Sequence, residues 1–180
     1  MLNDITSKEL IGISLWLMLM IFIFSLSFVP LALDKQVNVF FLDNSGNEHA
    51  LVFFGFRGCS NVCPMTLLTM KQFLDSQKST EQWPQIIFID VDVSSDTKQA
   101  SEFAKQFHSS FVGLHLPPEK LKNISTLFGL NIKQQNSHIS HLGKTYLLRR
   151  EVNRWALVKV YTPNSLSVEA LKNEFIYSSS

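Results

Sequence analysis

From Leu10 to Leu33 the sequence has no charged side chain, reading LIGISLWLMLMIFIFSLSFVPLAL. A run of this length reaches the roughly 20 apolar residues that a helix needs to cross a bilayer. A helix also pairs its own backbone polar groups, as hydrocarbon demands. The expected organisation is a short tail at residues 1–9, one transmembrane anchor at 10–33 and a folded domain at 36–177. Pro30 is expected to end or kink the helix near its outer end. A cleaved signal peptide would have a shorter apolar core of about 7–15 residues and small residues before the cut. The segment VPLALDK has no clean site of that kind. Lys8 precedes the span and Lys35 follows it, so flanking charge gives little orientation.

After the span the chain alternates between strand-like and helix-like segments. Val37–Leu42 reads as a strand, followed by a turn at Asp43–Asn47. Ala50–Phe54 is a short apolar run suited to a buried strand, ending at Gly55. Cys59 to Cys63 then form a loop. Pro64 suits the first turn of a helix, on which Leu67, Met70 and Leu74 share one face. Gln85–Val91 is a second buried strand. A helix over Thr97–Phe107 takes Asp96 as its N-cap. A short strand at Phe111–Leu114 precedes a helix that opens at Pro117-Pro118 and stops at Gly129. Thr145–Leu148 and Trp155–Tyr161 read as paired strands joined around Glu151–Arg154. Ser165 caps a closing helix to Phe175. The alternation predicts an α/β domain, and the late strand pair predicts an antiparallel portion. The expected fold is a thioredoxin-like mixed sheet flanked by helices.

The only two cysteines are Cys59 and Cys63. Two are too few for a disulfide scaffold, and a bridge across so short a loop removes little chain entropy. They lie where a strand hands over to a helix, and the positive helix end favours thiolates. A thiolate attacks disulfides and also binds metal, so the position supports both chemistries. A dithiol redox motif is usually C-x-x-C; here one more residue intervenes. Two sulfurs and a distant imidazole would make a soft three-coordinate site suited to Cu(I), whereas zinc usually takes a fourth ligand. Five histidines are available: His49, His108, His115, His138 and His141. His49 and His108 read as ordinary surface or core residues, and His115 as a minor candidate. Spacing alone does not choose between His138 and His141. Lys144, Arg149 and Arg150 form a basic group that either steers an acidic partner or is a solvated charged face. With 16 Lys+Arg against 15 Asp+Glu, the chain lacks the basic excess of a nucleic-acid binder.

The segment Phe54-Gly55-Phe56-Arg57-Gly58-Cys59-Ser60-Asn61-Val62-Cys63-Pro64 resembles the Sco/SenC pattern F-G-[YF]-T-x-C-P-x-V-C-P. Asp92-Val93-Ser94-Ser95-Asp96-Thr97 resembles its D-P-x-R-D-T, and Phe111-Val112-Gly113-Leu114 its F-x-G-L. In that family the ligand histidine stands five residues before a Tyr-Leu pair. Tyr146-Leu147 therefore implies His141 as the ligand. Ser60, Val93, Ser95 and Ser140 depart from the pattern, and a D-x-x-G-K element is missing. The resemblance, from about Phe40 to Tyr161, implies copper held by Cys59, Cys63 and His141. It also implies a membrane-anchored role in delivering copper to, or assembling, the copper centre of cytochrome c oxidase, with subunit II as partner. The domain would face the periplasm or an equivalent non-cytoplasmic compartment. The alternative function is a thiol–disulfide oxidoreductase that uses Cys59 and Cys63 as a redox-active pair on a partner protein.

Overall fold

A computed structural model describes residues 7–26, 35–43, 45–77, 83–130, 133–135, 138–140, 143–152 and 154–177. The chain divides into two compact units, residues 1–32 and 33–180. The first contains helix α1, Ser7–Leu26, 20 residues long. Lys8 and Glu9 lie in its first turn, and the later apolar residues run round the whole helix. Ile11, Leu15, Met18 and Ile21 are 61–71% exposed within this chain. At a rise of about 1.5 Å per residue, 20 residues just match a hydrocarbon core of about 30 Å, and the charged first turn shortens the apolar part. Among the described residues no helix is long and apolar enough to cross a membrane. Residues 27–33 of the expected span lie outside the described residues.

The second unit is built on a six-stranded sheet in the order β1-β8-β7-β2-β3-β4. The strands are β1 Lys35–Val37, β2 His49–Gly55, β3 Gln85–Asp90, β4 Val112–His115, β7 Thr145–Glu151 and β8 Arg154–Tyr161. β2, β3 and β4 run parallel, whereas β7 and β8 pair antiparallel with each other and β7 with β2. A further two-stranded ribbon joins β5, Lys133–Gln135, to β6, His138–Ser140. The helices are α2 Val62–Asp75, α3 Thr97–Phe107, α4 Pro118–Phe128 and α5 Val168–Tyr177. This is the mixed α/β layout expected from the sequence.

Successive strand residues point to opposite faces, so the central strands feed two cores. Ala50, Val52, Phe54, Ile87 and Ile89 pack with Leu121, Ile124 and Phe128 of α4. Leu51, Phe53, Ile86 and Phe88 face the other way, toward Leu67, Met70 and Phe73 of α2 and Leu171 of α5. Both faces of β2 and β3 are covered, which is why these strands read as unbroken apolar runs.

Several local expectations need correction. Only Lys35–Val37 pairs as β1, and Phe40–Leu42 turns into a 3-10 helix. Cys63 lies inside α2 and not in a loop. Ser165 does not cap α5: its hydroxyl accepts the Thr162 N–H at 2.8 Å in the preceding turn. Ser167 accepts the Ala170 N–H at 3.0 Å instead, and the helix starts at Val168. Asp96 does cap α3, in a full capping box with Gln99. Gly129 ends α4 at φ 60°, a left-handed position that glycine occupies without strain.

Candidate metal centre

The cysteines lie at the C-terminal end of the parallel strands, where β2 hands over to α2. Leaving β2, the chain turns at once, and the Cys59 N–H donates to the Phe56 carbonyl at 3.1 Å. α2 begins three residues after Cys59. Its Asn61 N-cap makes no side-chain cap bond, so the first-turn N–H groups need other acceptors. The Cys59 sulfur is one: the Cys63 N–H donates to Sγ at 3.3 Å. Both cysteines are thiols, not bridged to each other.

The two sulfurs have different surroundings. Cys63 is fully buried and Cys59 half-buried. A Cβ placed on Gly55 would lie 3.0 Å from the Cys63 sulfur, 2.8 Å from Phe53 and 3.0 Å from Phe88. Gly55 therefore leaves the space that the sulfur occupies. Burial pushes the Cys63 thiol well above its ordinary range, and the hydrogen bond with Cys59 adds to this. At neutral pH Cys63 is a protonated thiol unless a cation takes the proton's place.

His141 lies outside the described residues, as do the side chains of β6, which begins at His138. Gly143, two residues past His141, is described. A Cβ there would come within 2.6 Å of Val62 Cγ1. Gly143 is thus seated against Val62, the first residue of α2 and the sequence neighbour of Cys63. Among the described residues no three of His, Cys, Asp and Glu gather as a metal-binding group.

His49, His108 and His115 belong to three different parts of the fold. His49 starts β2 and meets Phe175 edge to face at 5.2 Å; burial lowers its pKa. His108 follows α3, with Nδ1 2.7 Å from the Ser110 hydroxyl. His115 ends β4 beside Asp90, and its Nδ1 is buried without a hydrogen-bond partner among the described residues. Arg149 pairs in register with His49, so it and Arg150 stand at the far end of the sheet from Cys59. Arg149 bonds Glu151 at 3.2 Å, and Arg150 stacks over Trp155 at 5.2 Å. Their place is structural, at the wrong end to steer a partner to the cysteines.

Residues 34–175 match the SCO1/SenC family model. The chain belongs to the SCO1/SenC family. The mitochondrial SCO1 homolog 1 of Arabidopsis thaliana is 29% identical over 128 residues, 67% of this chain and 37% of the plant protein. The match thus spans little more than a third of that relative. An SCO2-like protein of Rickettsia conorii is 26% identical over 152 residues, covering 79% of this chain and 73% of its own. Apo Sco1 of Thermus thermophilus superposes with a TM-score of 0.61 at 27% identity, over 80% of this chain and 89% of that one. Copper-bound ScoI of Arabidopsis thaliana gives 0.58 at 26% identity, over 71% and 85%.

Four residues around the SCO1/SenC cysteines escaped the sequence reading: Gly55, Arg57, Asp90 and Gly143. The glycines act through close approach to Cys63 and Val62, which only coordinates reveal. Arg57 carried a signal, since it stands where the family pattern has threonine.

Proposed function

We propose that this chain is a membrane-anchored copper carrier. Cys59, Cys63 and His141 hold Cu(I) as cargo and pass it to the copper centre of cytochrome c oxidase, with subunit II as acceptor, on the non-cytoplasmic side. One arrangement carries the reading: the Cys59 sulfur sits on the Cys63 N–H, while Gly143, two residues past His141 in sequence, lies against Val62. Two thiolates and an imidazole are a donor set that suits soft Cu(I). The copper-bound plant ScoI, 26% identical to this chain, supports the same cargo. Transfer proceeds by stepwise ligand exchange, each donor of the acceptor replacing one donor here.

Competition titration of Cu(I) against a chelator, on the reduced full chain in detergent micelles, tests this. One-to-one binding is expected. It should weaken about 10–100-fold or more in His141→Ala, by analogy with losses on altering a metal site's supporting shell, and stay unchanged in His138→Ala. Gly143→Ala should weaken it as well, because its Cβ would press on Val62. Weak binding indifferent to His141 would instead favour the thiol–disulfide oxidoreductase.

The anchor is supported by the uncharged run from Leu10 to Leu33, part of which forms α1 with Ile11, Leu15, Met18 and Ile21 exposed. A helix of this kind is stable in hydrocarbon. The full chain is expected to stay with membranes through alkaline carbonate extraction; release into the supernatant would refute the anchor.

A further inference from the structure

The turn that carries Cys59 is tied to the rest of the domain by Arg57. Its Nε donates to Asp90 Oδ2 at 3.2 Å, and its Nη2 donates to the Gln99 side-chain oxygen at 3.0 Å. Asp90 is fully buried at the end of β3 and is completely engaged. Its Oδ2 also accepts from the Ser95 hydroxyl at 2.6 Å, and its Oδ1 accepts the Asp92 N–H at 3.1 Å. Gln99 is the same residue that completes the capping box of α3, its side-chain oxygen accepting the Asp96 N–H at 3.2 Å. One guanidinium therefore joins three elements: the cysteine turn, the end of β3 and the N-terminus of α3.

The register explains why this is next to the sulfurs. Gly55 pairs with Asp90, and a Cβ on Gly55 would touch Cys63 Sγ. Residues paired in register on neighbouring parallel strands project to the same face. Asp90 thus stands on the face that Cys63 occupies, one strand away. Arg57 is also the second residue of the turn closed by the Cys59 N–H and Phe56 carbonyl. The family pattern puts threonine at this position and arginine where this chain has Ser95. Here both Arg57 and Ser95 bond the same Asp90 oxygen.

We propose that Arg57 is a positioning residue for the cysteine site: clamped on Asp90 and Gln99, it holds the turn in the geometry where Cys59 Sγ accepts the Cys63 N–H. This rests on reading Cys59 and Cys63 as the working pair. Without the clamp the turn relaxes, the N–H···S bond is lost, and the dithiol loses stabilisation relative to the disulfide.

The test equilibrates the full chain in detergent with glutathione buffers, in which two thiols become a disulfide as one oxidised glutathione becomes two reduced. It reads the exchange constant alongside Cu(I) affinity and thermal unfolding. Arg57→Ala should raise the constant for disulfide formation about tenfold, equivalent to about 30 mV, and lower Cu(I) affinity about tenfold. Arg57→Lys, which keeps charge but lacks the fork to bridge both acceptors, should fall between. The double variant Arg57→Thr with Asp90→Ser leaves no buried carboxylate behind, so it separates positioning from folding. It should keep the shifts while recovering thermal stability. An exchange constant and affinity within about twofold of wild type in the double variant would overturn the proposal, as would shifts that merely track the unfolding midpoint. Absence of Cu(I) binding in the wild type would refute the copper reading, and the glutathione constant alone would then decide the role of Arg57.

Discussion

Cys63→Ser is expected to lower Cu(I) affinity by more than about a hundredfold, above the loss typical of altering a ligand's supporting partner. Serine is close in shape, so the buried pocket beside Gly55 should stay filled and the fold intact. What disappears is the soft donor, because a hydroxyl does not replace thiolate toward Cu(I). The pH dependence should change with it. Burial holds the Cys63 thiol well above its ordinary value of 9.0, so the apo protein carries that proton throughout the neutral range. Copper must displace it. Wild-type affinity should therefore fall about tenfold for each unit that pH drops, for this proton alone. Cys63→Ser should lose that slope. The sign for apo stability is opposite in direction: a raised folded pKa favours the folded state at low pH, and the contribution fades as pH climbs above the unfolded thiol value. Titrations at pH 6, 7 and 8 check the slope; an affinity indifferent to pH in the wild type would mean that Cys63 does not give up a proton to copper.

Gly113→Ala should destabilise the domain by about 3 kcal/mol, the upper end of what overpacking usually costs. A Cβ at Gly113 would run into the Ala100 carbonyl and come within 2.7 Å of the Ser101 Cα. These are backbone atoms of α3, so no side-chain rotation relieves the clash. Either β4 leaves the sheet or α3 lifts from it. Lifting α3 would also withdraw Gln99 from Arg57, so copper affinity should decline with stability. Denaturant unfolding measures the first effect; a loss below about 1 kcal/mol would mean that α3 is seated loosely on β4.

Much of this fold was legible from local chemistry. The Asp96 cap, the Pro118 start and Gly129 stop of α4, and the apolar strands β2 and β3 are each written in a few adjacent residues. Misreadings arose where distant contacts decide. Val39 and Leu42 look like strand residues but are buried against the core through a 3-10 turn. Ser165 and Ser167 are equally good caps by composition, and Thr162 claims the first. For the site, the cysteines and their place at the start of a helix were readable, whereas His141 is what the family resemblance implies and lies outside the described residues. The clamp from Arg57 to Asp90 was not readable, because it joins the cysteine turn to the end of β3 through a register that only the folded sheet defines.

The unequal burial of the two sulfurs gives the site a fixed sequence of events. Cys59 faces outward at half exposure, while Cys63 is sealed behind it by Gly55, Phe53 and Phe88. Any molecule arriving from solvent, whether it brings a metal ion, a thiol or an oxidant, meets Cys59 first. Departure by the same path in reverse has Cys63 let go first and Cys59 last. The protein thus has a front door and a back wall, and its chemistry has a built-in order.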